Sequence, residues 1–186
     1  MPAESLSTSS DAARAALPRI VLILGGARSG KSRFAESLVA QASAKALYIA
    51  TGERRDPEMI ARIAAHRARR GAAWTTIEEP LELVNCLLGL PPESPPVLID
   101  CLTLWLSNLM EANRDIGFEI ERLRSALAQV NMPVILVANE VGLGIVPDNA
   151  LARAFRDHAG RLNQSIAAIA QRVVFMAAGL PMTLKG

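Results

Sequence analysis

The chain has 186 residues, of which 51% are apolar and 20% charged, enough to bury one core of ordinary domain size and too little charge for a disordered or tail-like protein. Twenty Lys and Arg against eighteen Asp and Glu leave a net charge of +2, and aromatic residues make up 4%. Neither a broad field for a phosphate backbone nor a set of base-stacking rings is available, so no nucleic acid is expected as a partner.

Residues 1–18 are small and polar, carry Glu4 and Asp11, and lack the apolar core of a secretory signal; they read as a loose extension of a domain spanning 19–186. No apolar run approaches the roughly 18–20 residues that cross a bilayer, so the expectation is a cytoplasmic protein without a membrane span. From Ile20 to Leu24 the chain is wholly apolar, as in a strand buried on both faces of a parallel sheet. Residues 31–43 then follow helical spacing, with Phe34, Leu38 and Ala42 on one face. A second strand is predicted over 46–51, and Asp56-Pro57-Glu58 opens a polar helix that runs to Arg70 before Gly71. A short strand is expected over 74–79 and a helix over 80–90 begun by Pro80, followed by a proline-rich linker over 91–96.

Residues 97–100 form a third buried strand, 101–112 and 118–130 two helices, and 133–139 another strand, with Ile120, Leu123 and Leu127 in one stripe of the second helix. After a glycine-bearing loop over 139–149, a long helix carries Leu151, Phe155, Ala159, Leu162, Ile166 and Ile169 at steps of three and four. Residues 173–179 and the final 181–185 read as edge strands. Strands alternating with helices force a mostly parallel sheet with helices on both faces and right-handed crossovers, and ligands bind such sheets beyond the carboxyl ends of their strands. Cys86 and Cys101 lie in apolar runs without metal-ligand spacing and are expected as reduced thiols.

Gly25-Gly26-Ala27-Arg28-Ser29-Gly30-Lys31-Ser32 fits the phosphate-binding pattern GxxxxGK[ST], directly after a strand and at the start of a helix. Glycines let backbone N–H groups curl round an anion, the helix N-terminus adds positive dipole, Lys31 reaches the terminal phosphates and Ser32 helps hold Mg²⁺. The fold class is therefore α/β, a single P-loop NTPase-type (RecA-like) domain. Asp100 closes the strand 97–100, where such proteins keep the carboxylate that orients magnesium; capping the next helix is its alternative role. The base-reading NKxD tetrapeptide is absent, and Asp157 to Gly160 fits DxxG only within a predicted helix, which disfavours a regulatory GTPase.

Arg54, Arg55, Arg62, Arg67, Arg69 and Arg70 face only Glu53, Asp56 and Glu58 within 53–70, so the basic charge is concentrated there. On a helix Arg62, His66, Arg69 and Arg70 share a face. Neighbouring positive charge opposes protonation of His66, and neutral imidazole is the nucleophilic form. Taken alone, a helix-surface histidine more often simply faces solvent.

The segments GGARSGKSRFAE, YIATGE, DPEMIARIAAHRARR with WTTIEEP after it, and NEVGLGIVP through LARAFRDHAGRLNQ, from about Arg19 to the C-terminus, resemble the bifunctional adenosylcobinamide kinase and adenosylcobinamide-phosphate guanylyltransferase family of cobalamin biosynthesis. The resemblance implies phosphorylation of adenosylcobinamide by ATP or GTP, then transfer of GMP from GTP through a guanylylated histidine. His66 occupies that histidine's motif, although Ala65 stands where some members carry a second histidine. The resemblance also implies GTP contacts at Thr51, Gly52, Glu53, Arg67, Ala68, Arg69, Arg70, Glu78 and Asp100, and a homotrimer. Arg153, Arg156, Asp157 and Arg161 form a candidate subunit face. Trp74 and Trp105 are either corrin contacts or core, Gly142 and Gly144 either approach a ligand or shape a turn, and His158 is assigned a structural role. The competing readings are a small-molecule kinase without nucleotidyl transfer and a nucleotide-binding module without turnover.

Overall fold

A computed structural model describes residues 16–53 and 70–186. The strands β1 (Ile20–Gly25), β2 (Ala46–Ala50), β3 (Trp74–Glu78), β4 (Val97–Asp100), β5 (Val134–Val137), β6 (Arg172–Ala177) and β7 (Leu180–Lys185) form one sheet in the order β3-β2-β4-β5-β1-β6-β7. Every pairing is parallel except β6 with β7. The helices are α1 (Lys31–Ala42), α2 (Leu83–Leu88), α3 (Leu102–Glu111), α4 (Ile116–Gln129) and α5 (Ala150–Ile169). The expected α/β class and mostly parallel sheet are what the chain forms.

Successive strand residues face opposite sides, and two cores result. Leu22, Ile49, Ile99 and Leu136 meet α2, α3, α4 and α5 on one face. Val21, Ile23, Leu98 and Ile135 meet Ala35 and Val39 of α1 on the other. Trp105 of α3 lies in the larger core, fully buried, and its Nε1 donates to Leu81 O at 3.0 Å. Of its two candidate roles the core one holds, and Trp105→Ala should lower unfolding free energy by about 3–5 kcal/mol, read from urea denaturation.

Several sequence expectations shift. Residues 173–179 were expected at an edge, but β6 lies between β1 and β7, and the sheet edges are β3 and β7. The helix expected to start at Pro80 starts at Leu83, because residues 80–82 form a bracket instead: Glu79 Oε1 accepts the N–H groups of Leu81 and Glu82, while the carbonyls of Pro80 and Leu81 take Asn108 and Trp105. The helix expected from 118 begins at Ile116, capped by Asp115, whose side chain accepts from Phe118 N at 3.0 Å. In α1 the fully buried positions are Ala35 and Val39, with Phe34 and Leu38 at the margin. In α5, Leu151 is 71% exposed, so its stripe begins packing at Phe155.

The polar helix expected over 56–70 falls on 54–69, outside the described residues apart from Arg70; most of the loose extension, 1–15, is likewise outside. Of its described part, Leu17 packs partly against the smaller core. Among the described residues no helix is long and apolar enough to cross a membrane.

Candidate active site

Parallel pairing brings the carboxyl ends of β1, β2, β3, β4 and β5 to one rim: Ala50 lies opposite both Glu78 and Asp100, and Asp100 opposite Val137. The phosphate-loop residues 25–32 rise from that rim into α1. Gly25 has φ +147 and sits against β6, where an added Cβ would meet Met176 O at 2.5 Å and Ser29 Oγ at 2.8 Å. The loop is tied on both sides, by Glu140 N to Gly25 O at 3.1 Å and by Gly179 N to Ser29 O at 3.0 Å. Gly25→Ala should therefore displace the loop and weaken binding of a fluorescent GTP analogue at least tenfold, measured by titration; wild-type affinity would contradict the geometry.

The interior of the loop suits an anion. Gly30, φ +98, occupies the N-cap of α1 without a side-chain cap, and no acidic residue lies in the first turn. No side chain therefore competes with an anion at this helix start, and the helix dipole stands behind it. Ser29 Oγ is buried without a hydrogen-bond partner. Lys31 is 7% exposed and its Nζ donates to Gly26 O at 2.6 Å, folded over the loop. Gly26, Ala27 and Arg28 are exposed and Ser32 half-buried, with Arg28 at φ +57.

Across β5 from β1, Asp100 ends β4 half-buried, and its Oδ2 accepts the Tyr48 hydroxyl at 3.1 Å. Capping is not its role: the N-cap of α3 is Cys101, and no side chain caps that helix. Thr51 is fully buried, its hydroxyl donating to Cys101 O at 2.7 Å and accepting from Cys101 N at 2.8 Å. Its side chain thus braces β2 against β4, and Asn108 Nδ2 holds its carbonyl at 2.8 Å. Gly52 is half-buried, Glu53 and Glu78 exposed, all beside this brace.

Arg70 is 8% exposed and lies over the Tyr48 ring, Cζ 3.3 Å from the centroid, with Nε and Nη1 lacking hydrogen-bond partners. Burial, then the Asp100 charge, raises the Tyr48 phenol above its ordinary range, so it remains a donor. The same two causes push Cys101 up to about 11, an inert thiol at neutral pH. His66, Arg67, Ala68 and Arg69 lie outside the described residues.

Of the remaining candidates, Trp74 is half-buried with its ring edge-on to Tyr48. Gly142 N donates to Glu140 Oε1 at 2.6 Å, and nothing lies within 4 Å of a Cβ placed on Gly144. Arg153 Nη1 donates to Pro147 O and Asp148 O, so this member of the candidate subunit face steadies its own loop. Reading the sequence missed Tyr48 and Gly179; the one signal for Tyr48 was a lone tyrosine on a strand whose next even position pairs with Asp100.

A glycine-lined anion loop between a buried strand and a helix, at the carboxyl rim of a parallel sheet, defines a P-loop nucleotide-binding protein of RecA-like α/β fold. The RadB recombinase has the same fold, with a TM-score of 0.51 over 86% of this chain and 74% of that chain at 16% identity. The model of the family described as cobinamide kinase / cobinamide phosphate guanyltransferase matches residues 21–184. The bifunctional adenosylcobalamin biosynthesis protein CobP of Pseudomonas aeruginosa is 50% identical, covering 89% of this chain and 96% of its own. Its counterpart CobU of Salmonella typhimurium is 40% identical over 89% of this chain and 99% of its own. The chain belongs to the cobinamide kinase / cobinamide phosphate guanyltransferase family, and is a bifunctional transferase.

Proposed function

We propose that the chain phosphorylates the aminopropanol hydroxyl of adenosylcobinamide with ATP or GTP and then caps that phosphate with GMP, through a guanylylated His66, in the cytoplasm and as a homotrimer. The observation that carries this reading is the anion cradle of residues 25–32, with the uncapped α1 N-terminus and the orphaned Ser29 hydroxyl, in a chain of this family.

In the kinase step the cradle amides and Lys31 hold the triphosphate, and the substrate hydroxyl attacks the γ-phosphorus in line; a new O–P bond forms as the β–γ P–O bond breaks, the nucleoside diphosphate leaves and the hydroxyl proton passes to solvent. The protein contributes position and charge neutralisation more than covalent chemistry. In the second step the His66 imidazole attacks the α-phosphorus of GTP. An N–P bond forms, the α–β P–O bond breaks, and pyrophosphate leaves. An oxygen of adenosylcobinamide phosphate then attacks the same phosphorus and expels the imidazole, giving adenosylcobinamide-GDP. Arg67, Ala68, Arg69 and Arg70 with Thr51, Gly52, Glu53, Glu78 and Asp100 form the remaining GTP surround, the arginines neutralising the phosphates that arrive and leave.

Magnesium fits this donor set. Among the described residues no group of three or more His, Cys, Asp and Glu is placed to hold a metal, and Mg²⁺ characteristically takes one or two protein oxygens and completes its shell with phosphates and water. Ser32 and Asp100 would be those protein donors; the bound ion supplies charge neutralisation between phosphates.

Incubating the protein with GTP labelled at the α-phosphate, followed by a denaturing gel, tests the covalent step. Acid-labile label on the polypeptide is the expected result; an unlabelled band would leave a kinase without nucleotidyl transfer.

A further inference from the structure

Beneath the rim lies one aromatic side chain that the transfer chemistry above does not employ, stacked between two groups that it does. Tyr48, the only tyrosine in the chain, is 5% exposed on β2. Its ring supports the Arg70 guanidinium on one face, with Cζ 3.3 Å from the centroid, and meets the edge of Trp74 at 6.3 Å and 75°. Its hydroxyl donates to Asp100 Oδ2 at 3.1 Å. Ala50 pairs with Asp100 across the β2–β4 ladder, so Tyr48 stands two residues back on the same side of the sheet, directly behind the carboxylate.

The Arg70 guanidinium is nine-tenths buried, yet its Nε and Nη1 have no hydrogen-bond partner. A buried cation with two N–H-bearing nitrogens left unpaired is costly. An aromatic face offsets part of that cost without using the N–H groups, whereas a carboxylate partner would have neutralised them. Asp100 is held likewise by one oxygen, through a neutral donor that leaves its negative charge intact.

We infer that Tyr48 is a positioning residue for the nucleotide site: its hydroxyl fixes the Asp100 carboxylate, while its ring holds Arg70 flat with N–H groups reserved for a nucleotide phosphate. The inference rests on reading this rim as a nucleotide site and assigns it a residue that touches neither nucleotide nor metal. The two arms are separable, because the hydroxyl serves the carboxylate and the ring serves the guanidinium.

The test is titration of a fluorescent GTP analogue with Mg²⁺ and again in EDTA. Tyr48→Phe should bind the magnesium complex about tenfold more weakly while its EDTA affinity stays at the wild-type level. Tyr48→Leu should lose that tenfold and also about three- to tenfold in EDTA. Arg70→Lys, which keeps the charge but cannot lie flat, should lose a similar factor in EDTA in the wild-type and Tyr48→Phe backgrounds, and nothing further in Tyr48→Leu.

A residue that only filled the core would lower stability without separating the two titrations. Wild-type magnesium-dependent binding in Tyr48→Phe would overturn the carboxylate arm. Equal EDTA affinities for Tyr48→Phe and Tyr48→Leu would overturn the ring arm. If Tyr48→Leu does not fold, the ring arm stands or falls on Arg70→Lys, which must lose EDTA affinity in both remaining backgrounds. Failure of the wild type to bind the analogue at all would instead remove the nucleotide-site reading.

Discussion

Protein carrying His66→Ala should take up no label from α-labelled GTP, and its transfer of GMP to adenosylcobinamide phosphate should fall by about 10⁴-fold or more, the scale on which removal of a covalent nucleophile acts. Phosphorylation of adenosylcobinamide by ATP should persist, because γ-transfer depends on the cradle at residues 25–32, which Gly179 and the β5–α5 loop hold. A gel assay and a phosphate-transfer assay on one preparation separate the outcomes. Retained label would move the nucleophile elsewhere, and loss of both activities would mean that His66 serves the shared nucleotide site. His66 is the histidine of choice on sequence grounds because it falls within the arginine-rich segment 53–70, whereas the only other, His158, falls outside it in the sequence, on α5.

The second large effect is expected at Lys31. Its Nζ is folded onto Gly26 O at 2.6 Å and almost wholly buried. Bound triphosphate offers that ammonium better acceptors than a carbonyl, so Lys31→Ala should cost about 10²–10³-fold in kcat for phosphoryl transfer, the usual loss when one preorganised charge donor is removed from a transition state. Folding should change little: a net intramolecular hydrogen bond is worth about 1 kcal/mol, and the methylene stem lies at the first turn of a helix that Ala35 and Val39 hold down. Circular dichroism and a thermal melt alongside the kinetics check both halves. Unimpaired transfer would remove Lys31 from the site.

The residues from 20 to 32 show how far sequence carries. Five consecutive apolar residues, glycines at required positions and a helix behind them have a single common solution, and the chain adopts it. Sheet order is another matter. Nothing in the composition of 172–177 distinguishes an interior strand from an edge, since placement there depends on β7 folding back antiparallel. The start of α2 was misplaced for a similar reason. Pro80 permits a helix, but Asn108 and Trp105, more than twenty residues away, claim the carbonyls that a first turn would need as acceptors for the N–H groups four residues on.

At the site the loop was legible because its chemistry is contiguous. The Asp100–Tyr48–Arg70 stack was not, because its members come from three segments and meet only when β2 and β4 pair. Thr51 carries the same lesson: it opens the TGE segment, and no local pattern announces that its hydroxyl closes a two-way bond with the Cys101 backbone.

The turn between β6 and β7 reaches across to the anion cradle through Gly179 N and Ser29 O, although β7 itself is exposed along its whole length. Trimming or tethering the chain's tail end is therefore no cosmetic operation. A purification handle or a crowded fusion partner there pulls on a hairpin that buttresses the anion-gripping bend, and would reach the active centre mechanically without touching a single reactive group.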